Sequence, residues 1–198
     1  MTANPAAPAT DPRVERSRTL VRQAALAELG EAGYGAFTIE SVAARAGVAK
    51  TTIYRHWPSK LALVSDALET LNEQPGPDLG QGSPRERVDC LVRHVAEVVS
   101  GSTFSACIPA LIDAAEREPD VRAFHHGYSA RRRQALIDAI AEGVATGDFP
   151  ATLDPELAAL ALVGPIFYSR VMSGIRFDAE RVGDLVDTVL GPAGDGRN

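Results

Sequence analysis

Two short apolar runs hinged on one glycine constrain this chain more than any other feature. Ile39, Val42, Ala43 and Ala46 fall at helical spacing, Gly47 breaks the run, and Val48, Ile53 and Trp57 form a second apolar face. Each run is only about two turns long, and a helix that short is not stable alone in water. Thr38 stands just ahead of the first run, where its hydroxyl can cap the free N–H groups of a helix. Helix, tight turn and short second helix over residues 38–57 make a helix-turn-helix, whose second helix enters a major groove while the first buttresses it.

The same mixture of threes and fours fills the rest of the chain. Leu20, Val21, Ala24, Ala25 and Leu29 mark a helix over Arg13–Ala32 that Gly33 closes. Pro58-Ser59-Lys60 resets the chain before a helix over Leu61–Leu71. Ser83-Pro84-Arg85-Glu86 combines a serine cap, a proline at the first helical position and a glutamate at the third. Val88, Leu91, Val92, Val95 and Val99 continue that helix. Thr103–Arg117 is the next, with a kink expected at Pro109. A longer helix opens at Glu118-Pro119 and stops at Gly147. Another is expected from Pro155 to Ser173, and a last one is capped by Asp178 and ended by Gly191-Pro192. No run alternates with period two. The fold is read as all-α with about nine helices.

These signals divide the chain into a disordered tail (1–12), a helix-turn-helix domain (13–60) and a connecting helix (61–72). A Pro/Gly-rich loop (73–83), a helical C-terminal domain (84–192) and a polar tail (193–198) follow. With 45% hydrophobic and 23% charged residues, a chain of 198 residues buries a proper core. The net charge of −6 argues against a uniformly basic polyanion binder, but it is unevenly spread. Up to Lys60 there are eight basic and five acidic residues, a net of +3, which leaves −9 for the remainder. Only the first section suits phosphates. Cys90 and Cys107 are too few for a disulfide scaffold and lack metal-ligand spacing, so no metal or cofactor is expected. The start has neither a basic region nor an apolar one, and no stretch is apolar enough to span a membrane, so a cytoplasmic protein is expected.

The second helix of the motif turns Val48, Ile53 and Trp57 inward. Lys50, Thr51, Thr52, Tyr54, Arg55 and His56 remain on or near its outer face, with no carboxylate among them to repel phosphate. Gly33-Tyr34, Thr38 to Val48 and Thr51 to Leu61 together resemble the DNA-binding domain of TetR-family transcriptional repressors, over roughly residues 16–64. The resemblance implies double-stranded DNA as partner. It implies phosphate contact for Thr38 and Lys60, the latter at the start of a helix whose N–H groups also favour an anion. Tyr54 and His56 would contact phosphate or base edges. Lys50, Thr51, Thr52 and Arg55 would read sequence, and Arg45 belongs to the same set of expected DNA-binding residues.

The body adds two expectations. Helix Pro155–Ser173 is apolar almost all round and must be covered on every side. The last two helices are therefore expected to pair with their copies in a four-helix homodimer interface, as the resemblance also implies. Two-fold symmetry then sets two recognition helices roughly 34–36 Å apart on a palindromic operator. The resemblance further implies a small-molecule effector. Phe104, Cys107, Ile108, Leu111, Phe124, Tyr128, Phe167, Tyr168 and Met172 are the candidate lining of a mostly apolar pocket, and His125 or Tyr128 could orient a ligand. Ligand would favour a body conformation in which the helix from Lys60 swings the heads out of register.

An enzyme is not expected. His94, His125 and His126 form no metal-binding helix motif, and no nucleophile elbow or phosphate-cradling loop occurs. Arg131-Arg132-Arg133 is read as a solvated helix face. The competing reading is a DNA-binding activator or architectural factor without an effector.

Overall fold

The computed structural model describes residues 12–70 and 82–192. The expected tails, and most of the expected 73–83 loop, lie outside the described residues. Nine α-helices occur among those residues, and no strand: α1 (Pro12–Ala36), α2 (Ile39–Ala46), α3 (Lys50–His56), α4 (Lys60–Glu69), α5 (Pro84–Gly101), α6 (Thr103–Arg117), α7 (Pro119–Thr146), α8 (Pro155–Tyr168) and α9 (Val182–Leu190).

The caps explain the boundaries. Gly33 adopts φ 76°, which only glycine takes without strain, and the chain makes one further turn on a new axis to Ala36. That turn buries Tyr34 and brings Phe37 into the core. Thr38 and Ser41 form a reciprocal cap, with the Ser41 amide donating to the Thr38 hydroxyl at 3.0 Å. Gly47, at φ 67°, ends α2 in the left-handed region and reverses the chain into α3. The Ser83–Glu86 box starts α5 as its sequence requires.

Helices α1 to α4 share a core through Val21, Leu29, Val42, Ile53, Leu63 and Leu68, all essentially inaccessible to solvent. That core does not stop at the head. It continues into α6 and the start of α7 through Cys107, Leu111, Val121 and Tyr128. α1 and α6 form the most extensive helix pair in the molecule. Gly30 permits their closeness, because a Cβ there would stand 3.0 Å from the Ala106 methyl. A second core joins α5, α7, α8 and α9 through Val92, Ile140, Leu162, Ile166 and Val186.

The expectations for α6 and α8 resolve differently. α6 runs through Pro109 as one helix. The amide that proline lacks would have bonded the Ser105 carbonyl. That carbonyl instead accepts from Arg170 Nη2 at 3.0 Å, and the Ser105 hydroxyl accepts from Arg170 Nε at 2.7 Å. The helix expected to reach Ser173 stops as an α-helix at Tyr168. It continues as a wider turn over Ser169–Ser173, the segment that carries Arg170 to α6. Asp178 caps a 3₁₀ turn over Ala179–Arg181 that leads into α9, rather than α9 itself. Replacing Arg170 by methionine leaves the buried Ser105 group without its partner. It is expected to destabilise the fold by about 1–3 kcal/mol, read as a lowered midpoint in urea with the slope unchanged.

Candidate nucleic-acid interface and body cavity

The recognition helix α3 is held from beneath. Ile53 is wholly buried, and Trp57 at the C-cap is 3% exposed. The Trp57 indole N–H donates to Asp66 Oδ2 at 2.7 Å. Arg22 Nε of α1 donates to the same oxygen at 2.8 Å. One carboxylate of α4 thus ties the end of α3 to α1. Burial pushes the Asp66 carboxyl up. The bonds from Arg22 and Trp57, with the charges of Arg22 and Arg18, outweigh this and hold it below its ordinary value. Nothing in the motif flagged this residue, although a carboxylate three positions after Leu63 on a helix's buried face was a usable signal.

The expected DNA-binding residues differ in their surroundings. Thr51, Tyr54 and Arg55 stand exposed on α3, and Tyr54 keeps 51% of its surface. Thr52 is half-buried. Thr38 is exposed at the start of α2, its hydroxyl already used as a cap. Lys50, Arg45 and Lys60 are engaged within the protein. Lys50 Nζ pairs with Glu40 of α2 at 2.7 Å. Arg45 turns to α1, donating to Glu31 at 2.9 Å and lying 3.3 Å from Glu28. The Lys60 ammonium donates to the Tyr34 carbonyl and lies 3.9 Å from the Tyr34 ring centre, and burial pushes its pKa down. His56 sets its ring edge-on to Trp57 at 5.6 Å, with Nε2 buried and without a hydrogen-bond partner.

A cavity of about 740 Å³ opens in the body, lined by α5, α6, α7 and α8. Phe104, Ile108, Leu111, His125, Tyr128 and Phe167 line it. Phe124 is not in the lining and stacks on Tyr128 at 5.7 Å. Cys107 faces α1 instead, its thiol donating to the Leu26 carbonyl at 3.4 Å and pushed up to about 11 by burial. Tyr168 and Met172 are 62% and 71% exposed, on a helix that also exposes Leu157 and Leu160. Lining residues not anticipated include Leu91, His94, Val95 and Val98 of α5 and Glu69 at the end of α4. Arg131, Arg132 and Arg133 also border the cavity, rather than a plain solvated helix face. Among the described residues no group of His, Cys, Asp and Glu is placed to hold a metal ion, and no single helix is long and apolar enough to cross a membrane.

An all-helical protein with a helix-turn-helix head and a hollow body has the architecture of a DNA-binding regulator. Comparison with known proteins gives the family. Residues 21–67 match the model of bacterial regulatory proteins of the tetR family, and residues 77–189 match a tetracyclin repressor-like C-terminal domain. The chain belongs to the TetR family of transcriptional regulators. It is 30% identical over 180 residues to the uncharacterized regulator YdeS of Bacillus subtilis, covering 88% of each chain. Its fold matches FadR of Bacillus subtilis in complex with stearoyl-CoA, with a TM-score of 0.71, 18% identity and coverage of 89% of this chain and 99% of that one. It also matches AibR in complex with isovaleryl coenzyme A and operator DNA, with a TM-score of 0.64, 21% identity and the same coverage.

Asp66→Ala removes the shared acceptor of Arg22 and Trp57 and is expected to cost about 1–3 kcal/mol at neutral pH. Because the folded pKa lies below the ordinary 3.8, the Asp66 contribution is present above that value. It is lost as pH falls through the lowered pKa. Thermal melts of the variant should therefore show a shallower acid limb than wild type, and parallel limbs would contradict the role given to Asp66.

Proposed function

We propose that this protein is a repressor that binds a palindromic operator as a homodimer and releases it when a small lipophilic ligand fills the body cavity. The observation that carries the reading is one continuous path. An exposed recognition helix is anchored to α1 and α4, α1 is laid along α6, and α6 forms a wall of the cavity. A ligand that favours one setting of α6 over another thereby biases the head. Thr51, Tyr54 and Arg55 carry the DNA contacts, with Thr52 and Thr38 beside them. Lys50, Arg45, Lys60 and His56 join only by exchanging their present partners, and otherwise they stiffen the head.

The exposed apolar side chains of α8 support a symmetric pairing of α8 and α9 with their copies. The ligand class is supported by the largely apolar lining of the cavity. FadR is described with stearoyl-CoA and AibR with isovaleryl coenzyme A and operator DNA. The protein acts as a cytoplasmic regulator and not as a catalyst. The activator or architectural reading shares the head and differs only in having no release step.

Selection from a pool of random duplexes should recover a palindrome whose half-sites lie about one helical turn apart. On that duplex, Arg55→Ala is expected to weaken binding about tenfold or more. Tyr54→Phe should weaken it less, with the protein remaining a dimer by sedimentation. Unchanged affinity in both variants removes α3 as the reading element. A bound duplex that no acyl-CoA, fatty acid or other lipophile displaces favours the effector-free alternative.

A further inference from the structure

We propose that the cavity receives an aliphatic chain bearing an anionic head, and that the head competes with Glu69 for Arg131. This rests on the ligand-released reading above and names its ligand class and trigger.

The distribution of lining residues points to an amphiphile. Val95, Val99, Ile108, Leu136 and Phe167 give the cavity an apolar interior. Arg131, Arg132 and Arg133 border the same cavity. Consecutive helical residues diverge by about 100°, so three in a row can border one cavity only where it opens. The cations therefore gather at the mouth. They do so on a body whose net charge is −9, where 21 carboxylates outnumber 12 cations. Arg132 sits 5.8 Å from the ring centres of both Phe104 and Tyr128, which fixes its guanidinium against the lining.

A second observation concerns the group beside Arg132. The Tyr128 hydroxyl lies on the cavity wall near that guanidinium, in a residue 2% exposed, and reaches no partner at full hydrogen-bonding geometry. A buried hydroxyl in that state lacks a partner that a ligand oxygen can supply. A carboxylate, a thioester carbonyl or a phosphate seated beside Arg132 would accept from it. A plain hydrocarbon would not.

The trigger follows from the partner Arg131 already has. Its guanidinium is paired with Glu69, the last residue of α4, and both side chains are partly exposed. Exposed pairs of this kind are weak, so an incoming anion can exchange with the carboxylate at little cost. Glu69 also borders the cavity, within reach of the same head. Losing the pair removes one tie between the end of α4 and α7. Three residues before that end lies Asp66, which holds Trp57 and with it the recognition helix.

Calorimetric titration of the full chain with dodecanoate, dodecanoyl-CoA and dodecan-1-ol, each below its micelle concentration, tests this. Both anions, or one of them, should bind at least tenfold more tightly than the alcohol. Preference for dodecanoate identifies a carboxylate head, and preference for dodecanoyl-CoA a phosphate-bearing one. Arg131→Gln should weaken the preferred anion about five- to tenfold and leave the alcohol unchanged, which also shows that the cavity is still folded. Glu69→Gln should tighten the anion several-fold and again leave the alcohol unchanged. Equal binding of alcohol and anions, no binding of any of the three, or an anion affinity unmoved by Glu69→Gln overturns the proposal. An alcohol that displaces the selected duplex as well as the anions do overturns it too, while leaving the ligand-released repressor standing. Anions that bind as expected yet never displace the duplex overturn the release reading instead.

Discussion

The close approach of α1 to α6 is the constraint on which the rest of the molecule depends. Gly30 lies against the Ala106 methyl, and Cys107 on the same helix donates to the Leu26 carbonyl. With side chains this small at the crossing, the two backbones lie nearly in contact, and displacing one displaces the other. Such a joint makes a head of four helices an extension of the body core rather than a separate globule. The two shortest of them, α2 and α3, would be unstable by themselves. They persist because α1 and α4 supply apolar cover and because the Asp66 carboxylate binds α1 to the end of α3.

Charge does more structural work in the head than its net value suggests. Arg22, Arg45 and Lys50 are each paired with a carboxylate of a neighbouring helix, and Lys60 is lodged on the Tyr34 carbonyl and ring. The excess of +3 is therefore not spread evenly over the DNA-facing side. α3 presents outward a threonine, a tyrosine and Arg55, while its other exposed cation, Lys50, is already paired with Glu40. A surface of this kind suits a few contacts at base edges and phosphates better than bulk attraction.

Much of the architecture was legible from local chemistry. Capping residues and glycines set most helix ends, because a cap acts on neighbours three or four positions away. The Thr38 cap, the turn at Gly47 and the buried faces of Ile53 and Trp57 all appear as their spacing requires. What local pattern could not carry were partnerships across the chain. The carbonyl left open by Pro109 is filled by an arginine 61 positions later, so a proline that reads as a kink sits in an unbroken helix. Cys107 and Leu111 share one helix and one apolar pattern, yet one meets α1 and the other lines the cavity. Arg131–Arg133 read as a solvated face until the opening beside them is seen. Of the ten residues suggested for a ligand site, six border the cavity, from α6, α7 and, through Phe167, α8. Tyr168 and Met172 look outward.

Trp57 is the chain's single tryptophan, and its indole N–H is bonded to the carboxylate that joins recognition helix and α4. Excited beyond the tyrosine bands, the protein's emission therefore originates at one point, at the end of the recognition helix. Indole emission responds to the loss of such a bond and to entering water. The molecule thus carries a built-in optical gauge of its own head, readable without a label, without DNA and in real time.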